Sequence, residues 1–232
     1  MESIKGVFLH HYKYSENSII AKIFTENYGV QSYVVKGVRK KSSKSKLSYF
    51  VPLNILSLEV SDHKKKGLPF IREIRLVRGF GSVFSSIQKK FICMFIAEVL
   101  LRVLIEKEPD KNLYLFIRKT ISYLNKSEEL NKNFILIFLL KITEHLGFYP
   151  NEDFSSKEYF DLESGEFTNE PPLYNIHGKN KKYFSSLLQN QNVEIPYKNR
   201  RELIFSVQNY FSLHHYNIKK LKSYKVIESL KA

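Results

Sequence analysis

The chain has 232 residues, 43% hydrophobic and 14% aromatic, enough for one large or two small packed domains and inconsistent with a disordered chain. A single cysteine, Cys93, excludes an intramolecular disulfide and a cysteine-rich zinc cluster, and fits a reducing compartment. The net charge of +14 is uneven: residues 1–80 carry 15 Lys/Arg against 6 Asp/Glu, residues 81–150 carry 10 against 7, and residues 151–232 carry 12 against 10. Such asymmetry points to a polyanion-facing module joined to a nearly balanced remainder.

The opening, Met1-Glu2-Ser3-Ile4-Lys5, lacks the unbroken apolar run of a secretory signal. The longest apolar block, Phe134 to Leu140, is seven residues, short of the roughly 20 that cross a bilayer. The expectation is a soluble cytoplasmic protein with no membrane partner.

Five strands are predicted in the first 80 residues. Ile4 to Tyr12 is followed by Ser18 to Thr25, a turn at Glu26-Asn27-Tyr28-Gly29, and Val30 to Val35. Next comes a basic loop with six cations and no acid in the eleven positions 36–46: Lys36, Arg39, Lys40, Lys41, Lys44 and Lys46. Leu53 to Val60 is the fourth strand; Lys64, Lys65 and Lys66 lie in the next connection; Phe70 to Arg78 is the fifth. Ile74 and Leu76 should share a face of that strand with Arg72 and Arg78. Five short strands with one long connection after the third suit a small Greek-key barrel of the OB type, with an SH3-like barrel as the alternative.

After Gly79-Phe80-Gly81-Ser82 the hydrophobic period changes from two to 3.6. Phe84, Ile87, Phe91, Met94 and Phe95 are predicted to line one side of a helix reaching about Glu106. Asp110 should cap a second helix over Leu113 to Leu124. A third, from about Glu128, is apolar on nearly every side and should be central, stopping at Gly147 before Pro150. Residues 151–177 look irregular, with a short hairpin or turn over Phe160 to Phe167. Helices are predicted over Lys181 to Gln189 and Arg200 to His214, then a basic tail, Ile218 to Ser223. Lys181, Lys182, Arg200, Arg201 and Lys219 to Lys222 read as ordinary solvated charge.

The chain has no phosphate-binding glycine loop and no nucleophile elbow. The adjacent pairs His10-His11 and His214-His215 diverge too far to chelate one ion. Cys93, among Ile92, Met94 and Phe95, reads as an inert core thiol. The acids of the basic domain, Glu16, Glu26, Glu59, Asp62 and Glu73, are too scattered for a nuclease metal site. No catalysis and no small-molecule substrate are expected. The exposed chemistry is instead cationic, with Tyr12, Tyr14, Tyr28, Tyr33 and Tyr49 nearby as rings on which unpaired bases could stack.

The ordered pieces Tyr14-Ser15-Glu16-Asn17-Ser18, Phe24-Thr25-Glu26-Asn27-Tyr28-Gly29, Lys36-Gly37-Val38-Arg39, Ala97-Glu98-Val99-Leu100, Glu106-Lys107-Glu108-Pro109, Leu146-Gly147-Phe148-Tyr149-Pro150 and Leu221-Lys222-Ser223 are similar, over nearly the whole chain, to the bacterial recombination mediator and DNA repair family RecO. The resemblance implies an α+β fold: an N-terminal five-stranded OB-fold barrel (1–80) packed on a C-terminal α-helical domain (81–232). It implies ATP-independent binding and annealing of single- and double-stranded DNA, and helping to load the recombinase RecA. The partners implied are RecR and the acidic tail of single-strand-binding protein. Many members carry four cysteines flanking the segment equivalent to 151–177; these are absent, so zinc is not expected and hydrophobic contacts must hold that segment.

Lys36, Arg39, Lys40, Lys41, Lys44 and Lys46, with Lys64, Lys65, Lys66, Arg72, Arg75 and Arg78, are therefore the candidate DNA-binding residues, screening phosphates so that two strands can approach. The alternative is an adaptor of the same fold whose basic loop contacts RNA or the ribosome.

Overall fold

The structure, a computed structural model, describes residues 2–38, 47–61, 67–78, 86–104, 108–189 and 192–229. Its strands β1 (Glu2–Lys13), β2 (Ile19–Thr25), β3 (Gly29–Val35), β4 (Ile55–Val60) and β5 (Ile71–Arg78) fall where alternation puts them. They form one antiparallel sheet in the order β3-β2-β1-β4-β5. Its two edges meet at a parallel bridge between Val34 and Phe70, where the Val34 N–H donates to the Pro69 carbonyl at 2.9 Å. This partly open five-stranded arrangement agrees with the OB expectation.

Ile4, Phe8, Ile19, Ala21, Ile23, Tyr33, Leu56, Leu58, Val60 and Ile71 fill the interior. The opposite faces of β1 and β2 are buried too, through Val7, Leu9 and Phe24. Phe24 meets the ring of Tyr114 edge-on at 5.6 Å. Burial on both faces explains why β1 shows no clean alternation.

The expected facing of β5 is corrected. Its pairing with β4 slips between Glu59 and Val60 and again between Ile55 and Leu56, so Ile71 and Ile74 oppose Val60 and Leu58 while Arg78 pairs with Ile55. Each extra residue breaks the two-residue period, and Arg72 and Arg78 fall out of step with Ile74 and Leu76.

The helices are α1 (Ile87–Val103), α2 (Lys111–Lys126), α3 (Phe134–His145), α4 (Gly178–Leu188), α5 (Tyr197–Leu213) and α6 (Lys222–Ser229). Asp110 caps α2 as expected, accepting from the Leu113 N–H at 2.8 Å. The buried side of α1 is Ile92, Cys93, Phe95, Ile96, Val99, Leu100 and Val103, while Ile87 and Met94 are exposed. With so many apolar residues around this helix, periodicity could not select its face.

α3 starts at Phe134 and not near Glu128 because two asparagines take the preceding backbone. Asn131 accepts from the Asn133 N–H at 2.7 Å, and the Asn133 amide donates to the Val193 carbonyl at 2.8 Å. α3 ends as expected at left-handed Gly147, with the Phe148 N–H closing on the Thr143 carbonyl at 3.1 Å.

The segment expected to be irregular apart from a short hairpin or turn contains three short strands, β6 (Tyr159–Asp161), β7 (Phe167–Thr168) and β8 (Asn175–His177), ordered β7-β6-β8, with β6 and β7 pairing Phe160 to Phe167 as a hairpin. Runs of two or three residues are too short to show a period. Phe160 holds this sheet from within, its ring centroid 5.0 Å from Phe167, 4.7 Å from Phe184 and 5.9 Å from Tyr210.

Contacts divide the chain into two units: Met1–Ser127 with Lys220–Ala232, and Glu128–Lys219. The first therefore contains the barrel, α1, α2 and α6; the second contains α3, the small sheet, α4 and α5. The border expected near residue 80 lies outside the described residues.

α6, expected only as a basic tail, is fastened to α1 by one carboxylate. Glu98 accepts from the backbone N–H of Lys222 (3.0 Å), the N–H of Ser223 (2.9 Å) and the Ser223 hydroxyl (2.6 Å). These bonds satisfy first-turn donors of α6 that its own sequence leaves unpaired. Two fragments that carried the family resemblance, 97–100 and 221–223, thus meet in space.

Candidate nucleic-acid interface

Of the candidate residues, Arg39, Lys40, Lys41, Lys44, Lys46, Lys64, Lys65 and Lys66 lie outside the described residues. Lys36, Arg72 and Arg75 are described, as is the backbone of Arg78.

The structure brings Lys36 and Arg72 together across the β3–β5 bridge. Lys36 Nζ lies 5.1 Å, and the Arg72 guanidinium carbon 5.4 Å, from the centroid of the Phe70 ring. Phe70 is half-buried, and cations at such distances from a ring gain about 0.5–1 kcal/mol each at exposed sites. Both side chains are exposed, and among the described residues neither forms an ion pair.

The backbone fixes this group from several sides. The Phe70 N–H donates to the Ser61 hydroxyl and the Phe70 carbonyl accepts from the Ser61 N–H, each at 3.0 Å. On β3 the chain leaves Lys36 through Gly37, whose φ of +69° is costly for any residue with a Cβ. The next residue, Val38, is wholly buried in the barrel core. Lys36-Gly37-Val38 is therefore a turn whose valine anchors the loop base and leaves the lysine outward.

The far side of that loop is anchored by Phe50, buried against Phe8 with centroids 5.4 Å apart. The Asn54 amide holds the neighbouring chain through the Tyr49 carbonyl at 3.0 Å. The basic loop thus begins and ends on fixed core residues.

Arg75 stands apart. It is bound by Glu73 two residues earlier, Nη2 to Oε1 at 2.8 Å and Nε to Oε1 at 3.0 Å, with both side chains exposed. This carboxylate raises the guanidinium pKa and offsets its charge toward an incoming phosphate.

The tyrosines divide. Tyr33 is wholly buried and its hydroxyl pKa is pushed up, chiefly by that burial. Tyr28 donates its hydroxyl to Glu2, and Tyr49 packs on the barrel core. Tyr12 and Tyr14 are exposed. The ring that sits beside the cations, Phe70, was not singled out in the sequence; finding it needs the β3–β5 pairing, which no local pattern reveals.

Two cations read as solvated are structural. Lys181 is buried and donates to the Ser155 carbonyl at 2.6 Å, and Arg200 is buried and donates to the Ile195 carbonyl at 3.1 Å. Burial pushes the Cys93 thiol to about 12, consistent with an unreactive core residue. Among the described residues no group of three His, Cys, Asp or Glu side chains is disposed to hold a metal, and no helix is long and apolar enough to cross a membrane.

The two contact units differ in charge. The first has 27 Lys/Arg against 11 Asp/Glu, a net of +16; the second has 10 against 12, a net of −2. The whole excess resides with the barrel and the helices grouped with it.

Comparison with known proteins gives a consistent picture. The family model described as Recombination protein O N terminal matches residues 1–80, and that described as Recombination protein O C terminal matches residues 85–225. A DNA repair protein RecO of Flavobacterium psychrophilum is 31% identical over 97% of this chain and 97% of its own length. Proteins of that name from Flavobacterium johnsoniae and Azobacteroides pseudotrichonymphae are 31% and 29% identical, again over 97% of both chains.

Proposed function

The chain belongs to the recombination protein O family, a family of DNA repair and recombination, and on that footing we propose that it is a non-catalytic mediator. In this reading it binds DNA strands, promotes their annealing without nucleotide hydrolysis, and helps load a RecA-type recombinase with a RecR-type partner. Recruitment would run through the acidic tail of single-strand-binding protein. No zinc takes part.

The observation that supports this most is the convergence of Lys36 and Arg72 on Phe70 at the β3–β5 seam. Two cations that form no ion pair among the described residues lie beside a ring at the mouth of a basic loop, in the unit that holds all the excess charge. Cations neutralise phosphates and release condensed counterions, and a neighbouring ring offers a stacking surface to an unpaired base. Bringing two complementary strands together requires their repulsion to be screened, and fixed cations do so with no covalent step.

The test is oligonucleotide binding across a salt series together with annealing of complementary strands without ATP. With four to six phosphates neutralised, the log–log slope should be about −3 to −4. A flat salt response would sink the electrostatic reading, and no acceleration of DNA pairing while RNA is bound preferentially would favour the RNA adaptor instead.

A further inference from the structure

α2 is the one described helix with four cations and no acid: Lys111, Arg118, Lys119 and Lys126. At about 100° per residue, these four with Leu115 and Ser122 fall within an arc of roughly 100° on the helix surface. All four cations are exposed, and among the described residues none forms an ion pair. The acid just before the helix, Asp110, is engaged in capping. The opposite side, Leu113, Tyr114, Ile117, Ile121 and Leu124, is buried in the protein. It is therefore not available to enter a lipid surface, and what α2 presents outward is a cationic ridge about 22 Å long at 1.5 Å per residue.

The ridge begins away from the seam. Gly29, at the start of β3, sits so close to Glu108 that a Cβ there would come within 2.2 Å of the Glu108 carbonyl oxygen. The chain enters α2 three residues later, beside that end of β3. Lys36 follows the other end of this seven-residue strand, about 20 Å away at 3.4 Å per residue.

We propose that the outer face of α2 is a second polynucleotide track, holding the phosphate backbone of one strand while the β3–β5 seam holds another. The proposal rests on the mediator reading and supplies what annealing needs, two polymers on one basic unit. One strand of a duplex-like backbone carries a charge every 3.4 Å, so a ridge of about 22 Å faces about six phosphates. Four cations spread along that length match an extended polyanion better than a compact acidic peptide.

Two non-complementary oligonucleotides with different fluorophores are offered to the full chain at low salt, and simultaneous occupancy is read by energy transfer and native mass. The parent should hold both. Arg118→Glu/Lys119→Glu, and independently Lys111→Glu/Lys126→Glu, should hold one, with first-strand affinity within about twofold of the parent and an unchanged melting temperature. The proposal is overturned if the parent holds only one strand, or if both variants still hold two. It is equally overturned if the variants lose only the binding of an Asp/Glu-rich peptide. Lys36→Glu/Arg72→Glu tests the seam separately, by loss of the other strand, so failure of the mediator reading and failure of this proposal give different results.

Discussion

The two contact units of this chain differ in charge and in what they pack around, one net +16 around a barrel and the other net −2 around an aromatic cluster. A count by thirds of the sequence blurs this, because α2 and α6 come late in the chain yet join the barrel. Lys111, Arg118, Lys119, Lys126, Lys222 and Lys225 then add to the basic side, and what remains is slightly acidic. Charge segregation here is a property of the folded contacts, and it predicts that stability and DNA affinity can be altered separately.

The largest effect should come from the slightly acidic unit. Phe160 is wholly buried and touches three aromatic rings. Phe160→Ala should destabilise by about 3–5 kcal/mol, the usual range for emptying such a site. Urea unfolding measures this. Oligonucleotide affinity of the still-folded protein, at a temperature below its transition, should remain within about twofold of the parent. If affinity falls in step with stability, the two tasks are not divided between the units.

Next is the seam. Lys36→Glu/Arg72→Glu should weaken single-strand binding by at least about tenfold and make the salt slope shallower by about 1.4, the equivalent of two lost phosphate contacts. The melting temperature should hold, because both side chains are exposed. Arg75→Glu is the internal comparator. Its charge is already offset by Glu73, so it should lose markedly less affinity than either seam residue changed singly. Equal losses would mean that only the overall charge matters.

The strands and the caps at Asp110 and Gly147 were legible because each rests on local chemistry: alternation, a side-chain acceptor, a residue that tolerates positive φ. What was not legible depends on distant partners. The β5 facing requires two register slips against β4. Phe70 as a site residue requires the β3–β5 bridge, and α6 requires Glu98 from more than a hundred residues away. Of the small sheet only the hairpin over Phe160 to Phe167 was legible, and β8 was hidden because so short a strand shows no period.

The Glu98 clasp gives a third, smaller effect within the basic unit. Burial alone would raise its pKa, but the bonds from Ser223 and Lys222 and the Arg102 guanidinium at 3.6 Å outweigh it, and the net shift is downward. A carboxylate depressed in the folded state adds stability above its ordinary unfolded value, and that contribution is lost as pH falls through the lower folded value. Glu98→Gln should therefore cost about 1–2 kcal/mol at neutral pH, and the difference from the parent should close in acid. A difference that persists unchanged in acid would assign the loss to packing and not to charge.

The smallest effect separates the ring from the cations around it. Phe70 carries no charge, so Phe70→Ala should leave the salt slope as it is while weakening single-strand binding by about 1 kcal/mol or slightly more, roughly fivefold to tenfold, through lost stacking. Duplex binding, in which the bases are not free to stack, should change less. A ring that only braces Lys36 and Arg72 would behave differently: its removal would let both cations wander, weakening single strands and duplex alike and flattening the salt response. Comparing the two ligands at two salt concentrations therefore decides whether Phe70 meets the nucleic acid itself or merely supports the residues that do.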